Sequence, residues 1–302
     1  MKKLFATALL LLATLTSSAQ LLYRISGGKL AKPSYVVGTF HLASASFADK
    51  IPGVKEAIQN TDQVYGELKW DDMLNPDSLK NMQRSMFLPE GKTLEGVLGK
   101  ASYDKLSAYL KKTMGAGLDN PIVAQQMGHL VPSVLATQLQ LLQYMTQHMG
   151  EFDPTNTIDS YFQTQAKANN EPIGGLETMT FQGDVLYRSA TLERQKTLLD
   201  CFLDNTAYYA DLYDRMAKAY FAQDLNALAQ ILDEKFNATC DATPEEQAVL
   251  IDRRNVDWVK KMPAIMEAKP TLFVVGAGHL PGEHGLLSLL KAAGYNVEEI
   301  KS

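Results

Sequence analysis

Cysteine is scarce in this 302-residue sequence, which holds only Cys201 and Cys240. Two thiols cannot build a disulfide-dense mini-scaffold, and no spaced Cys pair offers a zinc site. Basic runs are missing as well. Lys and Arg number 29 against 34 Asp and Glu, a net charge of −5, which argues against a nonspecific nucleic-acid binder. HExxH, GxSxG and P-loop motifs are absent, and Gly276-x-Gly278-x-x-x-Gly282 misses a dinucleotide fingerprint by one residue. No low-complexity linker and no solenoid period occurs. What is present, 46% apolar and 21% charged residues, is ordinary globular composition with enough material for a sizeable core.

The first twenty residues read MKKLFATALLLLATLTSSAQ. Lys2 and Lys3 precede an apolar run, Leu4 to Leu15, too short for the ~20 residues of a membrane helix. Ser17-Ser18-Ala19 suits a cleavage site between Ala19 and Gln20, the pattern of a secretory signal over residues 1–19. The uncleaved alternative is a membrane anchor. No Cys follows the run to accept a lipid. Losing two lysines takes the net charge from −5 to −7. No later apolar run is long enough to span a bilayer, so the expected product is a periplasmic or secreted protein with no stable membrane insertion. In an oxidising compartment Cys201 and Cys240 favour pairing, the alternative being two buried thiols.

The hydrophobic pattern predicts an α/β fold, with a mainly parallel sheet built from both chain ends and flanked by helices. Ser34–Val37 and Gln63–Leu68 read as strands around a helical stretch, Phe47–Asn60, which suggests a right-handed parallel crossover. Thr271–Val275 is a continuous apolar run, as expected of a strand buried on both faces. His284–Ala293 reads as a helix stopped by Gly294, and Tyr295–Ile300 as a final strand. Between the ends, helical spacing runs over Tyr103–Met114, Val134–Met149, Thr157–Asn169, Leu192–Ala222, Leu225–Phe236 and Glu245–Ala268. Glu171–Glu177 interrupts as one strand. The expected organisation is a single domain over residues 20–302. Its core is about 20–77, 170–178 and 269–302, with a helical insertion of about 78–268. The tyrosines 208, 209, 213 and 220 along Leu192–Ala222 read as packing.

One internal repeat carries chemistry. Residues 35–42 read YVVGTFHL and residues 273–280 read FVVGAGHL. In each, a strand ends, a Gly permits a sharp turn, and a His follows three positions later. Ligands of parallel sheets gather beyond the carboxyl ends of strands, so His41 and His279 are expected in one crevice. Glu67 and Glu177 end apolar strands in the same way. Two imidazoles and a carboxylate suit a catalytic divalent metal with an open water position, with His41, His279 and Glu67 as ligands and Mn, Co or Zn as candidate ions. A spare carboxylate would serve as general base. The same groups also suit metal-free hydrolysis, His activating water while Glu holds its tautomer. Arg254 is a candidate oxyanion or substrate-carboxylate binder; Trp258 on the same stretch reads as packed inward. His129, His148 and His284 show no partner pattern.

The two GxxH motifs, Gly38-Thr39-Phe40-His41 and Gly276-Ala277-Gly278-His279, resemble the paired signature of the TraB/GumN family, which is related to the Tiki metalloproteases and more distantly to the erythromycin-esterase and ChaN-like proteins. The likeness extends to SGGKLAKPSYVVGTFHL, Glu67, the GLET segment around Glu177, Arg254-Asn255 and GAGHLPGEHGLLSLLKAAGY. It implies an α/β fold and metal-dependent peptide-bond hydrolysis, with His41, His279 and Glu67 matching the family's motif residues. His284 stands where a smaller polar residue is expected and reads either as an added ligand or as structural. The expected function is an exported metal-dependent hydrolase, peptidase-like, with catalytic residues Glu67, His41, His279, Glu177 and Arg254 and a peptide or small-molecule substrate. The alternatives are a metal-independent esterase-like hydrolase and a non-catalytic haem-, metal- or peptide-binding protein.

Overall fold

The computed structural model describes residues 20–149, 153 and 155–301. The expected leader and its cut lie outside them. Six strands form one sheet: β1 Leu22–Gly27, β2 Ser34–Thr39, β3 Gln63–Gly66, β4 Ile173–Gly175, β5 Thr271–Gly276 and β6 Tyr295–Glu299. Their order is β4-β3-β5-β2-β1-β6. The four strands β4, β3, β5 and β2 are parallel. At the other edge β1 and β6 run antiparallel. The fold is thus α/β with a mostly parallel sheet, as its two apolar runs require. Every residue of β2 is buried, and so is β5 from Thr271 to Val275. A strand covered on both faces gains nothing from alternation.

β1 escapes the sequence reading. Leu22, Tyr23 and Ile25 are buried while Arg24 and Ser26 are partly open, a pattern too short to separate from the apolar sequence that precedes it. Gly27 (φ 89°) and Gly28 (φ 58°) close the connection to β2 in backbone that other residues adopt at a cost.

Helices cover the sheet and extend beyond it. The single helix expected over Leu192–Ala222 is two, Leu192–Asp204 and Thr206–Phe221. Asn205 breaks it by turning its side-chain amide onto the Cys201 carbonyl at 2.9 Å. The stretch Glu245–Ala268 contains a π-helical turn, Ala248–Asp252, before the helix Arg253–Ala268. Helices at Pro76–Met86, Pro121–Met127 and Met179–Arg188 were not legible in the pattern. The first two start on a Pro capped by an Asn side chain, which fixes the helix locally without a long apolar stripe.

Among the described residues two large buried clusters result, beside a small one of Leu42, Tyr144 and Ala217. One surrounds the sheet and includes Phe162, Tyr220, Trp258 and Phe273. The other joins helices through Leu94, Leu106, Leu110, Leu135, Leu199 and Phe202. Among the described residues no helix is long and apolar enough to cross a membrane.

Cys201 and Cys240 form a disulfide, with Cα atoms 5.7 Å apart and a separation of 39 in sequence. A crosslink of that span restricts the unfolded chain by about 3–4 kcal/mol on the chain-entropy account. Denaturant unfolding of the Cys201→Ser/Cys240→Ser double variant is expected to show a stability loss of that order with little change in far-UV circular dichroism.

Candidate functional site

The parallel strands end on one edge of the sheet, and the chemistry sits just past their carboxyl ends. Glu67 follows β3, Glu177 lies two residues after β4, His41 two after β2 and His279 three after β5. β2 and β5 are direct neighbours, with Thr39 opposite Gly276. The glycines of the repeat serve close approach rather than a sharp turn. Gly38 still belongs to β2, and a Cβ there would lie 2.8 Å from Leu280 Cδ1 and 3.1 Å from Ala277 Cα, inside the second motif. A Cβ on Gly276 would sit 3.2 Å from Glu67 Oε1. That opening lets the Gly276 amide donate to Glu67 Oε1 at 2.8 Å. Tyr220, fully buried, donates its hydroxyl to the Gly38 carbonyl at 3.1 Å and fixes the first motif from behind.

His41 projects into a cleft of about 250 Å³ lined by Glu67, Leu68, Trp70, Asp159, Gln163 and Gln182, among others. Its side chain is 74% exposed. Nδ1 contacts Asp159 Oδ2 at 3.1 Å, and Thr39 donates its hydroxyl to the other oxygen of Asp159 at 2.5 Å. Asp159 stands in the first turn of the helix Ile158–Ala168, capped by the Thr157 hydroxyl. The Ala43 carbonyl accepts from the Ile158 amide, and the Ala45 amide donates to the Asn156 carbonyl. Those bonds bind the His41 loop to the helix start. The Asp159 charge, reinforced by the shared hydrogen bond, raises the His41 pKa to about 9. Burial opposes ionisation of Asp159. His41 and the Thr39 hydroxyl outweigh it and hold the carboxyl below its usual range. At neutral pH this pair is imidazolium and carboxylate.

His279 is the opposite case. It is buried, and its Nδ1 lies 2.7 Å from Asn255 Oδ1. The Asn255 amide nitrogen donates to the carbonyls of His279 and His284, so its oxygen must face the ring and Nδ1 must carry the proton. Nε2 then accepts from Arg254 Nη1 at 3.0 Å. Burial, with the charges of Arg254 and His41, lowers the His279 pKa to about 4. It is a neutral imidazole with both nitrogens engaged.

Arg254 is the hub. Its guanidinium is 4% exposed and all five N–H groups have acceptors. Nε donates to Glu177 Oε2 at 3.1 Å, and Nη1 to the Leu250 carbonyl at 3.0 Å and to His279. Nη2 donates to Glu67 Oε2 and Glu177 Oε1, each at 2.7 Å. Gln182 Nε2 joins the two carboxylates at 3.0 Å from each. Trp258 donates to Glu177 Oε2 at 3.2 Å and packs its ring under the guanidinium at 4.8 Å. The π-helical turn just before Arg253 offers the Leu250 carbonyl to this side chain; such turns recur at functional sites. Burial would raise the Glu67 pKa, but His279 when protonated, Arg254, His41 and the Gly276 amide together lower it. Glu67 is therefore an ionised carboxylate at the cleft wall.

The five residues expected from sequence thus lie at one end of the sheet, but in two roles. His41 and Glu67 face the cleft. Glu177, Arg254 and His279 form a buried cluster behind Glu67. The ring of His284 stays outside this cluster; only its backbone carbonyl takes part. A metal bound by His41, Glu67 and His279 does not fit these residues as they stand. Glu67 Oε1 is 3.8 Å from His279 Nε2, but that nitrogen's lone pair is taken by Arg254. Among the described residues no three His, Cys, Asp or Glu groups converge on one ion position. Asp159, Gln182 and Thr39 were missed. Asp159 is 118 residues from His41 in sequence, and an acid in a first helical turn is too common to signal such a partnership.

A sequence model of the TraB/PrgY/gumN family matches residues 21–299. Among curated proteins, the chain is 23% identical over 303 residues to "Metalloprotease TIKI2" of Danio rerio, covering 88% of this chain and 58% of that protein. It is 25% identical over 313 residues to "Metalloprotease TIKI1" of Homo sapiens, covering 88% and 59%. With the "Metalloprotease TIKI homolog" of Nematostella vectensis it shares 22% over 320 residues, covering 90% and 66%. The chain spans about three-fifths of the length of the two vertebrate relatives.

Two outcomes are expected. Gly38→Ala forces a methyl against Leu280 and the Ala277 backbone, and costs about 1–3 kcal/mol in denaturant unfolding. Histidine NMR titration gives His41 a midpoint near pH 9 that falls toward 6.5 in Asp159→Asn, while His279 stays neutral down to about pH 4. Stability carried by the His41 ion pair is therefore full below pH 6.5 and lost as pH rises through 9. That linked to neutral His279 is present above 6.5 and lost as pH falls through 4.

Proposed function

Because the chain belongs to the TraB/PrgY/gumN family, we propose that it is an exported hydrolase, peptidase-like, whose reaction takes place in the cleft between His41 and Glu67. The observation that carries this reading is the placement of the His41 imidazole, held by Asp159, and the Glu67 carboxylate along one cleft. Opposed protonation states of neighbouring groups are how acid and base roles are divided. The names of the relatives, all printed as metalloproteases, support hydrolysis of peptides. The disulfide supports an oxidising compartment, periplasmic or secreted.

Glu67 takes a proton from water as its oxygen bonds to the substrate carbonyl carbon. His41 gives its proton to the leaving nitrogen as the carbon–nitrogen bond breaks. Arg254, Glu177 and Gln182 hold the Glu67 carboxylate in place, and Asp159 orients His41. Leu68, Trp70 and Val274 give the cleft apolar walls, suited to an apolar side chain of the substrate.

The second reading, metal-dependent hydrolysis, draws on the relatives' printed names, with Mn, Co or Zn as the candidate ion. It requires His279 to give up its bond to Arg254.

Hydrolysis of a peptide library tests the first reading. His41→Ala and Glu67→Gln are each expected to lose at least 100-fold in kcat/KM with cooperative unfolding retained. The wild-type rate is expected to fall as pH rises through about 9, and Asp159→Asn to move that limb toward 6.5. Wild-type rates in both variants would overturn the assignment. Activity that survives chelation belongs to the first reading; activity lost on chelation and restored by Mn, Co or Zn belongs to the second.

A further inference from the structure

One helix ties down two parts of the cleft. Asp159 and Gln163 stand four residues apart on the helix Ile158–Ala168, so they share a face and lie about 6 Å apart along its axis. Asp159 holds His41. Gln163 holds the stretch of chain that follows Glu67. Its Oε1 accepts from the Trp70 amide at 2.8 Å, and its Nε2 donates to the Leu68 carbonyl at 2.9 Å. The side-chain amide thus satisfies one backbone donor and one acceptor, as a neighbouring strand would, just after β3 has ended at Gly66. Glycines make room on both sides. A Cβ on Gly66 would collide with the Gln163 amide, and one on Gly175 would sit 2.7 Å from the Lys69 nitrogen. Ile158, Phe162 and Ala166, all buried in the sheet cluster, anchor the rest of the helix.

We propose that Gln163 is a positioning residue that sets the substrate preference of this site. It holds Leu68 and Trp70 as the apolar wall beside Glu67, and that wall selects peptides with one large apolar side chain next to the bond that is cut. The proposal rests on the hydrolysis proposed above. The cleft, about 250 Å³, is smaller than the roughly 300–1,000 Å³ of pockets that enclose a whole small ligand, so it suits a single side chain and the backbone beside it. Glu67 has its own anchors in the Gly276 amide and Arg254, and His41 has its own in Asp159. Loss of Gln163 therefore displaces the wall and leaves the reacting groups in place, which weakens binding of the apolar side chain more than it slows the chemical step.

Gln163→Met removes both hydrogen bonds at similar volume. Gln163→Asn keeps an amide that is one methylene too short to span both. Two peptides that differ only in Phe or Ala beside the scissile bond compare these variants with the wild type. The wild type is expected to prefer the Phe peptide, and Gln163→Met to lose about tenfold of that preference, mainly through KM, with Gln163→Asn between. Equal losses on both peptides, or a fall in kcat with KM unchanged, overturn the proposal. A second readout needs no turnover. Trp70 is 39% exposed and Trp258 fully buried, so acrylamide quenching of the fluorescence reports on Trp70. Its quenching constant is expected to rise about twofold in Gln163→Met, with the His41 midpoint held near pH 9; an unchanged constant overturns the proposal. Should Gln163→Met fail to unfold cooperatively, Gln163→Asn decides by the same two readouts. A wild type that cuts no peptide sinks the hydrolysis and the substrate preference with it, while the quenching result separately decides whether Gln163 holds the wall.

Discussion

Two carboxylates, an imidazole and a carbonyl converge on the guanidinium of Arg254, and the geometry of the site follows from that convergence. A buried arginine is costly to desolvate, and its cost is offset only when every N–H finds an acceptor. Here five acceptors come from four separate stretches of chain: Glu67 after β3, Glu177 after β4, His279 after β5, and Leu250 one turn back. Glu67, Glu177 and His279 are each held in turn by a second partner, the Gly276 amide, Trp258 and Asn255 respectively. The cluster therefore fixes how the carboxyl ends of three parallel strands meet, and with it the position of Glu67 in the cleft.

The two histidines of the repeated motif show how surroundings divide identical sequences. Both follow a Val-Val-Gly strand end. His41 lies at the open cleft beside an anion and is held protonated. His279 lies in the interior beside a cation and is held neutral. The motif sets the location of each ring, and the neighbours set its charge. An internal duplication can thus supply an acid at one position and a fixed, neutral structural imidazole at the other. The glycines tell a related story. Neither Gly38 nor Gly276 adopts left-handed backbone; each is small because another segment passes within van der Waals distance.

Much of the fold was legible in the chain. The continuous apolar runs of β2 and β5 announce strands buried on both faces, and the helical periodicities of Thr157–Asn169 and Leu225–Phe236 place those helices within a few residues. The break at Asn205 was not legible, because helices on either side bury continuous apolar stripes and only a side-chain hydrogen bond interrupts them. β1 was missed because a six-residue strand next to an apolar run of sequence has no contrast. The repeat pointed to His41 and His279, and strand-terminal acids pointed to Glu67 and Glu177.

Local pattern, then, determined the sequence positions at which reactive side chains leave the sheet, because strand period and strand end are short-range properties that a few residues encode. Partnership was decided only by tertiary structure. Asp159 reaches His41, and Arg254 reaches His279, Glu67 and Glu177, across 25 to 187 positions of sequence. Charge state, tautomer and access to the cleft depend on those contacts through burial and Coulomb interaction, which act over ångströms in space and leave no periodic trace along the chain.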